Sequence, residues 1–260
     1  MRKLFTGRQL ACKKTQTRMP LISNSHKCIF IRVPKTASSA VLTEGFPEAL
    51  KWEDNEYKEP LDEWGFWKED YDLWYQDSNH LPLSTVRKLI DPSEIDDYFK
   101  FAFVRNPWAK AVSQYFYVRK WIRQLKGPWH KDTKAMKGPL VGGKRGLRAD
   151  LKTLEKRYEI AKIKNFDMYV KHAWSNWDKK YLMTQTEMTE GCDFVGRMYN
   201  LQADFNYICD KLKVPQKKLI KKNTTSHEHY SSYYTPETRQ IIAELFEDDI
   251  KNFNFEYVNA

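Results

Sequence analysis

Two short stretches carry side chains whose types and spacing suit the binding of anions. The first is Cys28-Ile29-Phe30-Ile31-Arg32-Val33-Pro34-Lys35-Thr36-Ala37-Ser38-Ser39-Ala40. It opens as an apolar, β-branched run, stops at Pro34, and passes through a lysine, hydroxyls and small residues into an apolar stretch from Ala40 to Leu50. That pattern predicts strand, tight turn and helix. Such a unit aims backbone N–H groups and the positive end of the helix dipole at an anion. Lys35 adds a full charge, and Thr36, Ser38 and Ser39 add hydroxyls. The stretch is not a G-x-x-x-x-G-K-[ST] phosphate loop, because the glycines are missing. An ordinary βα turn with Ser38 as helix N-cap fits the same residues.

The second stretch is Phe101-Ala102-Phe103-Val104-Arg105-Asn106-Pro107-Trp108, with Ser113 downstream. Tyr98 to Val104 predicts a buried strand beside the first. From Pro107 to Leu125 apolar residues recur at helical spacing (Trp108, Ala111, Val112, Tyr115, Val118, Ile122, Leu125), with Asn106 suited to the N-cap and Pro107 to the first helical position. Arg105 sits where strand hands over to helix, and a guanidinium there can hold a phosphate through two N–H groups. Ser113 lies seven residues past Asn106, about two turns along the same helix face. Taken singly, Arg105 also reads as a salt-bridge partner and Ser113 as a packing residue. Taken together, two strand–turn–helix units about seventy residues apart suit neighbouring strands of one parallel sheet. Two anion sites at their carboxyl ends suit a ligand with two separate phosphate-like groups.

The rest of the chain must position these units. At 260 residues it is long enough to bury a sizeable core, and its 15% aromatic content argues against disorder. We expect a single domain over residues 1–260, an α/β fold whose central parallel sheet resembles that of phosphate-loop proteins and is flanked by helices. Residues 1–26 read as a basic arm leading into the first strand. Residues 51–77 alternate acidic and aromatic side chains and read as an insertion packing its rings on the core. Residues 126–150, rich in Gly, Pro and Lys, read as a basic loop. Helices are expected from Ser84, near Leu151–Lys162 and Phe166–Trp174, over Leu201–Leu212, and from Thr235-Pro236-Glu237 onward, the last with Ile241, Ile242, Leu245 and Phe246 on its core face. Asp193-Phe194-Val195-Gly196 reads as a short strand.

The formal net charge of +10 favours an anionic partner such as a nucleotide, a nucleic acid or an acidic polysaccharide. None of the four cysteines forms a C-x-x-C pair, which argues against zinc; Cys28 and Cys209 read as buried thiols. The basic N-terminus lacks the apolar run of a signal peptide, and no stretch reaches the length of a membrane-spanning helix. The expectation is therefore a soluble protein without a membrane anchor, in a reducing cytoplasm, bacterial or virus-encoded rather than Golgi-resident.

The paired motifs resemble those of the carbohydrate sulfotransferases, which use 3′-phosphoadenosine-5′-phosphosulfate (PAPS) and release 3′-phosphoadenosine-5′-phosphate (PAP). Arg32-Val33-Pro34-Lys35-Thr36-Ala37-Ser38 resembles the family's 5′-phosphosulfate loop, in the form found in uronyl or heparan sulfate 2-O-sulfotransferases. Phe103 to Trp108 with Ser113 resembles its 3′-phosphate motif. Phe194-Val195-Gly196-Arg197, Asn200 to Phe205 and Tyr233 to Thr238 resemble its later segments, so that similar pieces run from about Cys28 to Tyr257. Many members carry Gly-Gly where this chain has Ala37-Ser38, and Asp-Arg where it has Ala109-Lys110. Residues 51–77 match nothing in the family.

The resemblance implies in-line transfer of a sulfuryl group to an acceptor hydroxyl with no metal required, so that the protein's work is mostly positioning and charge stabilisation. It places Lys35 at the bridging oxygen, as a catalytic residue, and the loop residues Arg32, Pro34, Thr36, Ala37, Ser38 and Ser39 around the 5′-phosphate. It places Arg105 and Ser113 at the 3′-phosphate, with Arg197, Lys221 and Lys222 as further cofactor contacts. The implied acceptor is a carbohydrate or another hydroxyl compound, not nucleic acid. His80, between the two motifs where the resemblance implies a catalytic histidine, is the expected base; a structural histidine capping the Ser84 helix or packing beside Pro82 is the alternative, and His172, His227, His229, Glu44 and the carboxylates of residues 51–77 compete for the role. Rival readings are a metal-dependent, kinase-like transferase and a non-catalytic module binding polyanions or nucleic acid. A non-catalytic relative retaining the fold is disfavoured by Lys35, Arg105 and Ser113.

Overall fold

The computed structural model describes residues 21–46, 50, 80–90, 92–125, 162–174, 183–220 and 227–260. Their centre is a four-stranded sheet in the order β1 (Leu21–Ser23), β2 (Cys28–Ile31), β3 (Phe99–Val104) and β4 (Phe194–Arg197). β2, β3 and β4 run parallel, and β1 pairs antiparallel with β2. The two motif-bearing strands are neighbours, as expected. Ile31 stands opposite Ala102, and Val104 opposite Arg197. The segments following β2 and β3 therefore leave the same edge side by side, where ligands bind in parallel sheets.

β1 corrects one expectation. Leu21–Ser23 falls in the stretch read as a basic arm, yet it forms an edge strand with Ile22 buried. A three-residue strand is too short to show a period of two, and its pairing depends on the turn that brings Lys27 back to the carbonyl of Asn24.

Both faces of the parallel strands are covered, which explains their nearly continuous apolar runs. Phe30, Phe101 and Phe103 point to one face and Ile29, Ile31 and Ala102 to the other, with the period of two that a strand imposes. Among the described residues the α-helices in chain order are α1 (Ser38–Ala40), α2 (Leu83–Leu89), α3 (Pro92–Ile95), α4 (Pro107–Leu125), α5 (Phe166–Tyr169), α6 (Gln185–Thr189), α7 (Leu201–Leu212), α8 (Pro236–Leu245) and α9 (Glu247–Phe253). α7 lays Phe205, Ile208 and Cys209 on the phenylalanine face, together with Val41 and Phe46. Leu83 and Val86 of α2, Ile95 of α3 and Met188 of α6 cover the isoleucine face. Each fully buried ring or branched aliphatic contributes roughly 1.5–3 kcal/mol relative to exposure. A third cluster joins Trp108, Ala111, Val112 and Tyr115 of α4 to Phe166, Tyr169, Ile242 and Phe246.

The expected helices over Pro107–Leu125, Phe166–Trp174 and Leu201–Leu212 are present, the second ending in a π-helical turn, Val170–Trp174. α8 begins at a reciprocal Thr235–Thr238 cap, and α9 extends the helical structure beyond Phe246, where no further helix was expected. α1 passes into a π-helical turn, Val41–Gly45, and stops there instead of continuing to Leu50. α2 starts at Leu83, one residue early. The buried thiols of Cys28 and Cys209 are raised by burial to about 12 and about 11, as inert structural cysteines are. The insertion at 51–77, the loop at 126–150, the helix expected near Leu151–Lys162 (apart from its last residue) and the pair Lys221 and Lys222 lie outside the described residues. No helix among the described residues is long and apolar enough to cross a membrane.

β3 and β4 approach closely at Gly196. A Cβ there would lie 2.7 Å from the buried Phe103 ring. Gly196→Ala must displace that ring within a filled layer, and overpacking of this kind costs about 1–3 kcal/mol. Urea denaturation should show a lower midpoint with an unchanged slope.

Candidate functional site

The β2–α1 loop has an unusual backbone for its residues. Lys35 (φ 66°) and Ala37 (φ 63°, ψ 16°) are both left-handed. That conformation costs an L-residue roughly 1–2 kcal/mol, and glycine normally supplies it. At Ala37, where the resemblance leads to an expectation of glycine, the backbone takes a conformation that glycine adopts readily. Ala37 is also the N-cap of α1, with no side-chain hydrogen bond capping the helix, so Ser38 is the first helical residue and not the cap. A left-handed residue followed by a right-handed one turns successive N–H groups, here those of Ala37, Ser38 and Ser39, toward one concavity suited to an anion. Thr36 is buried, and its hydroxyl donates to the Val33 carbonyl at 2.9 Å. The Thr36 hydroxyl, expected to face an anion, is thus already engaged within the loop.

Arg105 reaches this loop from the neighbouring strand. Its Nη1 donates to the Lys35 carbonyl oxygen at 3.3 Å. Burial lowers the Arg105 guanidinium to about 10. Burial, then the charges of Arg105 and Lys120, lower the Lys35 ammonium to about 8. Two cations thus share one partly dehydrated corner. Ser113, nearly buried, lies on the same α4 face two turns from Asn106. One turn further, the ring of Tyr117 stands under Lys35, whose Nζ is 3.7 Å from its centroid. Tyr117 escaped the sequence reading because it resembles the other aromatics of an aromatic-rich helix.

The turn that presents Arg105 is fixed from two sides. Asn106 caps α4 as expected, its Oδ1 accepting from the N–H groups of Trp108 (3.1 Å) and Ala109 (3.3 Å). Gln185 at the start of α6 accepts from the Arg105 N–H and donates to the Arg105 carbonyl, both at 2.8 Å. Gln185 is in turn held by Asp249 of α9, which is fully buried. The Asp249 carboxylate accepts from the Gln185 N–H and side-chain amide and from the Thr186 N–H and hydroxyl, at 2.8–3.1 Å. Lys110, nearly buried, is pushed down by burial and supported by the charge of Asp249. Gln185, Asp249 and Lys110 were not found from the sequence, since no local pattern links residues so far apart.

His80 lies beside the loop. Its Nδ1 is 2.6 Å from the Arg32 carbonyl oxygen. A carbonyl only accepts, so Nδ1 carries the hydrogen and the neutral ring has its lone pair on Nε2. The N-cap of α2 is Pro82, so His80 does not cap that helix. Of its competitors, His227 stacks on Phe116 and His229 caps the turn Tyr230–Tyr233, while Glu44 accepts from the Thr43 hydroxyl. Arg197 donates to the Phe253 carbonyl and lies over the rings of Phe253 and Phe255, tying β4 to the C-terminal segment.

The profile of the sulfotransferase family matches residues 19–256. The chain belongs to the sulfotransferase family. That match spans both anion motifs, the sheet and α9, and the family transfers sulfuryl groups. A protein of Archaeoglobus fulgidus described as uncharacterized is 22% identical over 154 residues, covering 58% of this chain and 97% of its own. No solved structure matches the sulfotransferase chain.

Asp249→Ala would leave four donors without their acceptor and Lys110 without its counter-charge. Breaking such a buried pair costs about 3–5 kcal/mol. Thermal unfolding should show the loss, and the milder Asp249→Asn should retain part of the stability.

Proposed function

We propose that the protein transfers the sulfuryl group of PAPS to a hydroxyl of a carbohydrate acceptor. The observation that supports this most directly is the meeting of Lys35 and Arg105. Residues of two separate βα units place two dehydrated cations beside an uncapped helix start. Like charges gather in this way where an anion completes the site. The residues fit a donor bearing phosphate at two positions, one facing the β2–α1 loop and one facing Arg105 and Ser113.

PAPS supplies an activated sulfuryl group with a phosphate as leaving group. The backbone N–H groups of Thr36, Ala37, Ser38 and Ser39, with the hydroxyls of Ser38 and Ser39, hold the 5′-phosphate. Arg105 and Ser113 hold the 3′-phosphate. The Lys35 ammonium donates to the bridging oxygen, balancing the charge that grows there as the bond to sulfur breaks. Nε2 of His80 takes the proton of the acceptor hydroxyl as the new oxygen–sulfur bond forms. The backbone contact at Nδ1 fixes that tautomer. Lys221 and Lys222 belong to the same reading as cations closing over the donor.

A transfer assay with labelled PAPS against a panel of glycans, with mass spectrometry of the products, tests the assignment. Transfer should require PAPS rather than ATP and persist with chelator. A kinase-like enzyme would show the opposite pattern, and a binding module would show no transfer. His80→Ala should lower kcat by about 10²–10⁴ with PAP affinity retained. Near-normal turnover in that variant would remove His80 from the mechanism.

The pH dependence follows from Lys35. Its charged form binds phosphate and donates the proton, and it is lost as pH rises through the value of about 8. PAP affinity measured by calorimetry should therefore be flat below that pH and decline above it. Lys35→Arg should keep its affinity to higher pH, because a guanidinium stays protonated there.

A further inference from the structure

The contact between Lys35 and Tyr117 is not explained by packing. Tyr117 is 42% exposed, so its ring is not held in place by the core. Yet the Lys35 Nζ stands 3.7 Å from the ring centroid, within the range at which an ammonium is attracted to an aromatic face. The ring also belongs to α4, the helix that follows the turn bearing Arg105 and carries Ser113 on the same face. It therefore has a fixed relation to both phosphate-binding groups. We infer that Tyr117 is a positioning residue for Lys35, its ring face holding the ammonium over the β2–α1 loop against the repulsion of the neighbouring cations. This rests on the reading of Lys35 as the group that meets the sulfuryl donor.

The physical need for such a platform is plain from the surroundings. Among the described residues, the charged groups bearing on Lys35 are Arg105, from the β3–α4 turn, and Lys120, from α4, and both oppose its charge. Burial opposes it as well. A carboxylate would relieve the repulsion but would compete with the phosphate for the ammonium. An aromatic face attracts the cation without carrying a net charge, so it leaves the ammonium's electrostatic pull on an incoming anion intact. It also confines a long, rotatable side chain to one region, which lowers the ordering cost when the ligand arrives.

The ring face favours the charged form of Lys35, while its bulk shields Nζ from water and opposes that form. Leucine keeps an apolar shield and removes the π-face, so Tyr117→Leu isolates the first effect and moves the lysine's titration to lower pH. The test is to follow the Lys35 side chain by NMR in the labelled full chain, its resonance assigned by loss in Lys35→Arg. Tyr117→Leu should lower the titration midpoint by about one pH unit. Tyr117→Phe keeps the ring and should titrate with the wild type. In parallel, Tyr117→Leu should weaken PAP binding several-fold at pH 8 and by less at pH 6, where both proteins are charged. A Lys35 midpoint unchanged in Tyr117→Leu, or shifted equally in Tyr117→Phe, would overturn the inference. Wild-type protein that fails to bind PAP, with the Lys35 midpoint still responding to Tyr117→Leu, would instead overturn the proposed function and leave the positioning role standing.

Discussion

The constraint on which the structure turns is the confinement of two positive charges at the carboxyl edge of a parallel sheet. Lys35 and Arg105 are each unfavourable where they stand, and burial lowers both. In the free protein this arrangement detracts from stability, because the charged forms are disfavoured by the fold. The anion proposed for this corner would reverse the sign, since it would lower the energy of the charged forms and leave the neutral ones unaided. Ligand binding and stability would then be coupled through the same two side chains. A fold that keeps such an arrangement must generate enough favourable packing elsewhere, and the three apolar clusters on and beside the sheet provide it.

Holding the charges together takes more than the strands. The β2–β3 register brings the two loops to one edge, but a strand end leaves the next peptide free to rotate. Gln185 removes that freedom by pairing with both backbone groups of Arg105, and Asp249 fixes Gln185. Asp249 lies far along the chain from Arg105, so α9 is a structural support of the corner where Lys35 and Arg105 meet. Arg197 acts in the same direction, binding β4 to Phe253 at the end of α9 and lying over the ring of Phe255 just beyond it.

The units that define this geometry were legible in the sequence where one local rule sufficed. β2, β3 and β4 show as apolar runs, α4 and α7 as stripes of period 3.6, and Asn106 and Thr235 as caps before proline. Lys35 and Arg105 were legible because each is a cation at a strand-to-helix turn. What was not legible depends on contacts between distant segments. β1 exists through its pairing with β2, Gln185 matters because of Asp249, and Tyr117 matters because a lysine from another loop lies over its ring. The left-handed backbone at Ala37 was hidden for a different reason, since alanine gives no signal of a conformation that it adopts at a cost.

The loop that leads into Ala37 is held from its carbonyl side. Three carbonyls of the loop are engaged by side chains: that of Arg32 by His80, that of Val33 by Thr36 and that of Lys35 by Arg105. In a planar trans peptide the N–H points opposite to the carbonyl. Drawing the Lys35 carbonyl toward Arg105 therefore turns the Thr36 N–H away from the guanidinium and along the loop. Arg105 thus contributes twice, by its charge and by orienting a peptide in the neighbouring unit. His80 is tied to that loop through the Arg32 carbonyl, so the base proposed for the acceptor is attached directly to the loop proposed for the donor. In an in-line transfer the distance between those two groups matters most, and here it is set by one short hydrogen bond to the backbone rather than by the packing of separate layers.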